Sequence, residues 1–294
     1  MSYSNAPVMY TTTTAAVPVP IASAPPAPAS SAPEPSAPPF DIEEFHRQRL
    51  AHIAALFEIR PDWLSFLRAL YNYNIYMVID DSGSMGSVVD AGKDPYAPVR
   101  SRWDELKETV RIVAEIATIF DRDGIDLYFL NRPDVHNVSC YEQIQENFRA
   151  PPCGYTPLAD TLKRIFREKD MDIREKPTMV IIATDGAPTD TRGNPDIDNF
   201  TKVLMSKHKN VVVSVLACTD DESAVGYLNK LDVMVPNMDV VDDFRSERKE
   251  VLSAQGKNFH FTFGDYVVKA LLGPINPYFD SLDEKKRASW WCMW

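Results

Sequence analysis

The stretch IYMVIDDSGSM, residues 75–85, decides the fold that we predict for this chain of 294 residues. It begins with a continuous apolar and aromatic run, IYMVI, which is typical of a strand buried on both faces of a parallel sheet. The run leads directly into Asp, Ser and Gly residues, which favour a turn. A buried strand followed by side chains that carry oxygen is typical of an α/β protein, in which ligands bind beyond the carboxyl ends of the strands.

Strands and helices alternate along the chain after this stretch. Short runs rich in β-forming residues occur at 125–130, 178–184 and 210–217, and apolar residues recur at helical spacing over 103–120. Continuous apolar strands that alternate with amphipathic helices predict a doubly wound, mostly parallel sheet flanked by helices. Weaker patterns predict helices at 158–168, 196–207, 221–232, 245–253 and 266–272, an edge strand at 136–141 and a short strand at 238–241.

The two ends of the chain differ in composition from this central α/β part, which we place at 73–245. Residues 1–40 are mostly Pro, Ala, Ser and Thr, with Glu34 as the one charged side chain, and we predict a disordered arm there. Residues 41–72 show apolar helical spacing and predict an N-terminal helical extension of two helices, the second with Pro61 in its first turn. Residues 246–294 predict a C-terminal helical extension that ends in a Trp-rich tail, WWCMW.

Charge and composition argue against several classes of protein. The formal net charge is −11 and no dense basic face is visible, so we expect no nucleic-acid binding. The four cysteines are irregularly spaced without a CxxC pair, which predicts neither a zinc site nor a disulfide framework. No apolar stretch approaches the roughly 20 residues of a membrane span, and no signal peptide is evident at the N-terminus. We therefore expect a cytoplasmic protein.

Five side chains with oxygen atoms are expected at one edge of the predicted sheet. Asp80, Ser82 and Ser84 follow the first strand, Asp185 follows a later central strand, and Thr156 precedes a helix. The carboxyl ends of parallel strands lie at the same edge, so these residues should meet there. Their oxygens suit Mg²⁺ or Mn²⁺, whereas zinc would favour His or Cys. The sequence therefore predicts a metal site for Mg²⁺ (or Mn²⁺).

The Asp-x-Ser-x-Ser segment, the later Thr before a helix and the Asp-Gly after a central strand resemble the metal-ion-dependent adhesion site (MIDAS) of von Willebrand factor A (vWA) domains. The resemblance implies a Rossmann-like strand order of 3-2-1-4-5-6. It also implies that Ser82 and Ser84 bind the ion directly and that Thr156 does so in the ligand-binding state. Asp80 and Asp185 would act largely through water. An open coordination position would then attract a carboxylate from a protein partner, without catalysis.

Two features depart from the pattern of that family. The loop 86–100 is longer than the shortest members need, and we expect Asp94, Tyr96 and Arg100 within it to shape specificity. Tyr155 stands where the family often has Gly, and it would narrow access beside the metal-site threonine.

Each part of the motif alone also has an ordinary structural explanation. Asp-x-Ser-x-Ser segments form capped turns, Thr-Pro pairs begin helices, and Asp-Gly pairs end strands. We favour the metal site because all three occur together at one end of one predicted sheet. Asp81 and Asp190, near the same edge, are expected to be solvated, and the acidic residues at 239–243 are expected to form a solvated loop rather than a second cation site.

The function that we predict is a non-enzymatic adaptor that mediates Mg²⁺-dependent protein association. The first alternative is a metal-dependent phosphoester hydrolase with the same site, against which no His falls in the three loops and no general base is evident. The second is a vWA subunit that works with an AAA ATPase, whose nucleotide site would lie in the partner because no Walker A sequence is present. The Trp-rich tail, with Cys292, suggests either membrane contact or packing against protein.

Overall fold

Six strands form the central sheet of the computed structural model, which describes residues 42–89, 100–121 and 123–284. They are β1 (Asn74–Ile79), β4 (Ile125–Phe129), β5 (Val135–Val138), β6 (Thr178–Thr184), β7 (Val211–Ala217) and β8 (Met238–Val241). Two shorter strands, β2 (Val88–Val89) and β3 (Arg100–Ser101), form a separate antiparallel pair.

The strand order across the central sheet is β5-β4-β1-β6-β7-β8. Numbered along the chain within this sheet, the order is 3-2-1-4-5-6. All neighbours are parallel except β5, which runs antiparallel to β4 at one edge. The predicted fold class, an α/β doubly wound and mostly parallel sheet flanked by helices, is confirmed. The strand order reverses at β1, so its carboxyl end is the place where such a sheet offers a crevice for a ligand.

Helices cover both faces of the sheet. Their bounds are α1 (Ile42–Leu56), α2 (Arg102–Phe120), α3 (Leu158–Glu168), α4 (Asp170–Glu175), α5 (Ile197–Met205), α6 (Glu222–Val225), α7 (Leu228–Met234), α8 (Phe244–Gln255), α9 (Phe263–Leu272) and α10 (Pro277–Asp280). Alternate side chains of a strand point to opposite faces, so Met77 packs in the core beneath α1, α2 and α9, whereas Val78 packs in the core beneath α3, α5 and α7. Each face of β1 is therefore buried, as its continuous apolar sequence predicts.

The segment before the sheet differs in detail from the second helix that the sequence favours after Pro61. It forms two short 3₁₀ helices, Pro61–Trp63 and Phe66–Asn72, rather than one α-helix. Trp63 is 1% exposed, and its ring meets that of Phe279 in α10 edge-on, with 5.0 Å between centroids. The N-terminal and C-terminal segments are thus packed against each other by aromatic contacts that no local pattern reveals.

Several of the predicted features lie outside the described residues: the Pro-rich arm, Asp94, Tyr96 and the Trp-rich tail with Cys292. Within the ranges that are described, no helix is both long and apolar enough to cross a membrane.

Candidate metal site at the carboxyl edge of the sheet

The site begins where β1 ends beside β6. The backbone N–H of Asp80 donates to the carbonyl oxygen of Ala183, with 3.0 Å between the two atoms, so the pairing of the two strands continues to the last residue before the turn. Asp80 and Ser82 are buried, whereas Ser84 is exposed. The motif therefore runs from the interior of the protein outward to its surface.

The Asp80 carboxylate is held by the protein on both of its oxygens. Oδ1 accepts the backbone N–H of Ser82 at 2.9 Å, and Oδ2 accepts the hydroxyl of Thr184 at 2.5 Å. Burial raises the pKa of Asp80 to about 6, and the hydrogen bonds from Ser82 and Thr184 counteract this rise. Asp80 is thus mainly ionised at neutral pH and fixes the position of the turn that carries the serines.

A chain of hydrogen bonds links the two serines to Asp185. The Oγ atoms of Ser82 and Ser84 lie 3.1 Å apart, and the Ser84 hydroxyl donates to Oδ1 of Asp185 at 2.7 Å. Asp185 is 1% exposed. Four of the five predicted residues therefore form one connected group.

Thr156 lies on the neighbouring loop, without a direct hydrogen bond to this group. Its backbone N–H donates to Oγ1 of Thr189 at 3.0 Å, and its carbonyl accepts the N–H of Thr189 at 2.9 Å, which ties it to the segment that follows β6. The N–H of Gly83 donates to the carbonyl of Gly154 at 3.3 Å and joins the two loops. Thr156 is buried and no side-chain hydrogen bond of its hydroxyl to another described residue is present.

Asp81 is not the solvated carboxylate that its place in the sequence suggests. It is fully buried, and its Oδ1 accepts the backbone N–H and the side-chain N–H of Asn131 at 2.8 and 3.1 Å. Nε of Arg132 lies 2.9 Å from Oδ2 and forms an ion pair. The expectation for Asp81 was wrong because its partners follow β4, 50 residues away in sequence, and close over it only in the folded sheet.

The ion pair of Asp81 supports the loop that carries Thr156. Arg132 also donates to the carbonyls of Ala150 and Pro151, at 3.1 and 2.6 Å, while the N–H of Cys153 donates to the carbonyl of Asp81 at 2.7 Å. The next residue, Gly154, has a φ of +106°, and a Cβ there would lie 2.3 Å from Oδ1 of Asn131. This loop is thus fixed by a buried ion pair and by a position that only glycine fits.

Arg102 is the member of the site that the sequence does not reveal. Its Nη1 donates to Oδ2 of Asp185 at 2.7 Å, and its Nη2 donates to Oγ1 of Thr219 at 2.7 Å. Ser101 and Asp104 form a capping box at the start of α2, which makes Arg102 the first residue of that helix. A cation is unfavourable at the positive end of a helix dipole, and the Asp185 carboxylate offsets this effect for Arg102.

The rim of the site carries an exposed aromatic ring. Tyr155 is 53% exposed, next to Thr156, and its carbonyl accepts a hydrogen bond from the Asn131 side chain at 2.8 Å. A Cβ on Gly193, which has a φ of +85°, would lie 2.6 Å from the Tyr155 ring, so the loop after β6 is in close contact with it. Arg100, which is described whereas Asp94 and Tyr96 are not, is exposed in β3.

Two further acidic groups have structural partners. Asp190 accepts the backbone N–H groups of Arg192 and Asn194, at 2.8 Å each, and so closes its own turn. The acidic residues at 239–243 do not form the solvated loop that we expected. Asp239 is 4% exposed, and Asp243 caps α8 by accepting the N–H of Arg245.

The side-chain oxygen atoms at this site suit a hard divalent ion as ligands. Asp80 and Asp185 already accept hydrogen bonds from protein groups on both of their oxygens, while the hydroxyls of Ser82 and Ser84 lie side by side. Within the described ranges, no group of three or more His, Cys, Asp and Glu side chains is arranged to hold a metal. Neutral hydroxyl ligands backed by carboxylates fit Mg²⁺ or Mn²⁺ and do not fit zinc.

Comparison with known proteins adds little to this geometry. Neither a protein-family model nor a curated protein matches the sequence. Among solved structures, the crystal structure of manganese-loaded Plasmodium vivax TRAP protein is similar to this chain, at 16% sequence identity and a TM-score of 0.37, over 61% of this chain and 72% of that chain. At this level the similarity carries no argument about the site. The resemblance to vWA domains rests on the strand order and on the motif.

Proposed function

We propose that this chain is a non-enzymatic interaction domain that binds a carboxylate of a protein partner through a Mg²⁺ or Mn²⁺ ion. The observation that carries the proposal is the hydrogen-bonded chain from Ser82 through Ser84 to Asp185, at the carboxyl end of β1. Ser82, Ser84 and Thr156 would supply neutral oxygen ligands. Asp80 and Asp185 would hold the serines and the water molecules around the ion.

The balance of charge favours an anionic ligand. Three carboxylates, of Asp80, Asp81 and Asp185, lie close to two guanidinium groups, of Arg102 and Arg132. With all five groups ionised, the site has one net negative charge, and a bound divalent ion would change it to one net positive charge. A site with the divalent ion bound would attract a single carboxylate of the partner. That carboxylate would occupy an open coordination position of the ion.

The arrangement favours binding over hydrolysis. A hydrolase would need a side chain that takes a proton from a metal-bound water. Asp80 and Asp185 are each engaged on both oxygens by protein donors, and Asp81 is paired with Arg132. No histidine is among the residues that contact the site in the described part of the chain. These contacts support an interaction domain in preference to the phosphoester hydrolase.

The proposal is tested by affinity capture from cell extract with the full chain as bait, in Mg²⁺ or in EDTA, followed by mass spectrometry. We expect one or more proteins to be retained only in Mg²⁺ and to be lost with Ser82→Ala. Ser253→Ala, an exposed serine of α8, is the matched control and should behave as the wild type. Retention that is equal in Mg²⁺, in EDTA and with Ser82→Ala would overturn the proposal.

A further inference from the structure

Arg102 and Ser84 share one carboxylate. The Ser84 hydroxyl donates to Oδ1 of Asp185 and the Arg102 guanidinium donates to Oδ2, each at 2.7 Å. Arg102 therefore lies one carboxyl group away from a hydroxyl that the proposed function assigns to the ion. A fixed positive charge on the far side of a single carboxyl group repels a divalent cation. The solvent screens this repulsion only weakly because Asp185 is buried.

The position of Arg102 is fixed rather than incidental. Its side chain is only 20% exposed, and its second nitrogen donates to Thr219, which is buried after β7. Its backbone N–H donates to the carbonyl of Ser87 at 3.0 Å, which ties the start of α2 to the loop after the metal motif. Arg102 is thus fixed at both ends, its backbone by Ser87 and its guanidinium by Asp185 and Thr219.

We propose that Arg102 is an internal counter-cation of the metal site with two opposite effects. It lowers the affinity of the site for the divalent ion, and it gives the loaded site the net positive charge that attracts a carboxylate. This inference rests on the proposed function. Without Arg102 the loaded site has no net charge, so it holds the ion more tightly and attracts an anion less strongly.

The opposite signs separate this role from a purely structural one. If Arg102 only positioned Asp185, its removal would loosen Asp185 and Ser84. The affinities for the divalent ion and for the carboxylate would then both fall. If Arg102 acts through its charge, Arg102→Met raises the affinity for the divalent ion and lowers the affinity for the carboxylate. Arg102→Lys keeps the charge, so both of its affinities stay close to those of the wild type.

The experiment measures two affinities on the full chain. Mn²⁺ affinity is measured by isothermal titration calorimetry, and acetate binding to the Mn²⁺-saturated protein is measured from the paramagnetic relaxation of the acetate methyl protons. Arg111→Met is the matched control, because it removes one guanidinium from the same helix at a residue paired with Glu108. Circular dichroism and thermal unfolding verify that each variant is folded. If Arg102→Met does not fold, Arg102→Gln takes its place.

We expect Arg102→Met to bind Mn²⁺ about tenfold more tightly and acetate several-fold more weakly, while Arg102→Lys and Arg111→Met match the wild type. Mn²⁺ affinity that is unchanged or lower in Arg102→Met, with a wild type that binds Mn²⁺, would overturn this inference and leave the proposed function in place. If neither the wild type nor Arg102→Met binds Mn²⁺, both proposals are wrong.

Discussion

Ser84 and Asp185 are separated by 101 residues in sequence, and their side chains are joined by a hydrogen bond of 2.7 Å. The parallel pairing of β1 with β6 makes this contact possible, because it brings the carboxyl ends of the two strands side by side. The fold thus converts two short polar turns into one site. The contact also defines what a variant must break to test the site.

The first prediction concerns Asp185. Asp185→Asn should lower Mn²⁺ affinity by at least about tenfold, because a neutral amide no longer offsets the charge of the ion. It should leave the domain folded, since the amide fits the same space. Mn²⁺ titration followed by calorimetry is the measurement, and Asp190→Asn, whose carboxylate serves only its own turn, is the control. An Asp185→Asn protein with wild-type affinity would show that Asp185 has no part in the site.

The second prediction concerns the buried ion pair of Asp81 and Arg132. Asp81→Ala should lower the free energy of unfolding by about 3 kcal/mol, because it leaves the Arg132 guanidinium, 13% exposed, without its partner. Urea unfolding measures the change. Asp160→Ala removes an exposed carboxylate that pairs with Lys163 at 3.6 Å, and it should lower the same quantity by less than about 1 kcal/mol. Similar losses in the two variants would contradict the structural role of Asp81.

The third prediction uses a close approach of two loops. Gly154→Ala should weaken Mn²⁺ binding, because the added Cβ would displace Asn131 and with it the loop that carries Thr156. Gly256→Ala is the matched control, since Gly256 also has a positive φ, +109°, but no atom lies within 4 Å of the added Cβ. Both variants should lose about 1 to 3 kcal/mol of stability through backbone strain. Only Gly154→Ala should lose Mn²⁺ affinity, and equal Mn²⁺ affinities in the two would contradict the prediction.

The fourth prediction concerns the pH dependence of stability. Burial raises the pKa of Asp239 to about 7, and the Lys269 ammonium counteracts the rise only in part. The unfolded chain releases this proton near pH 4, so between pH 4 and pH 7 the folded protein binds more protons than the unfolded chain. Stability should therefore fall as pH rises through this window and level off above pH 7. The contribution of Asp239 between pH 6 and pH 8 is about 1 kcal/mol.

Urea unfolding at pH 6 and pH 8 tests this, with Asp239→Asn as the comparison. The wild type should lose about 1 kcal/mol more than Asp239→Asn between the two values of pH. The contribution of Asp80, whose pKa is also raised, is common to both proteins and cancels in the difference. Burial also raises the pKa of Glu247 to about 7, and Glu247 pairs with the same Lys269, so the difference measures Asp239 together with its coupling to Glu247. An equal change in the two proteins would show that Asp239 titrates in its ordinary range.

The sheet, and the meeting of four candidate residues at its edge, could be predicted because their signals are local. The apolar run at 178–184 coincides with β6, since a continuous run of apolar residues has few alternatives to a buried strand, and the weaker pattern at 238–241 coincides with β8. The spacing of Asp80, Ser82 and Ser84 likewise lies within one turn. The parallel sheet then brings this turn beside Asp185, because parallel strands align their carboxyl ends.

Arg102 and the burial of Asp81 could not be predicted, because their partners are distant in sequence. Arg102 meets Asp185 across 83 residues, and Asp81 meets Asn131 across 50. A charged residue beside a turn is ordinarily solvated, and only the packing of a second loop over it changes that. The 3₁₀ segments before β1 were missed for a similar reason, since Trp63 packs against aromatic residues that lie near the end of the chain.

The most direct test of the central claim is electron paramagnetic resonance of Mn²⁺ titrated into the full chain, with and without the two serine hydroxyls. The free ion has a strong signal that is broadened when it binds protein, so the measurement counts bound ions without a partner. We predict one bound Mn²⁺ per wild-type chain, displaced by excess Mg²⁺, and none in a folded double variant of Ser82→Ala and Ser84→Ala. Equal binding by both proteins, or none by the wild type, would contradict a metal site built on these two serines.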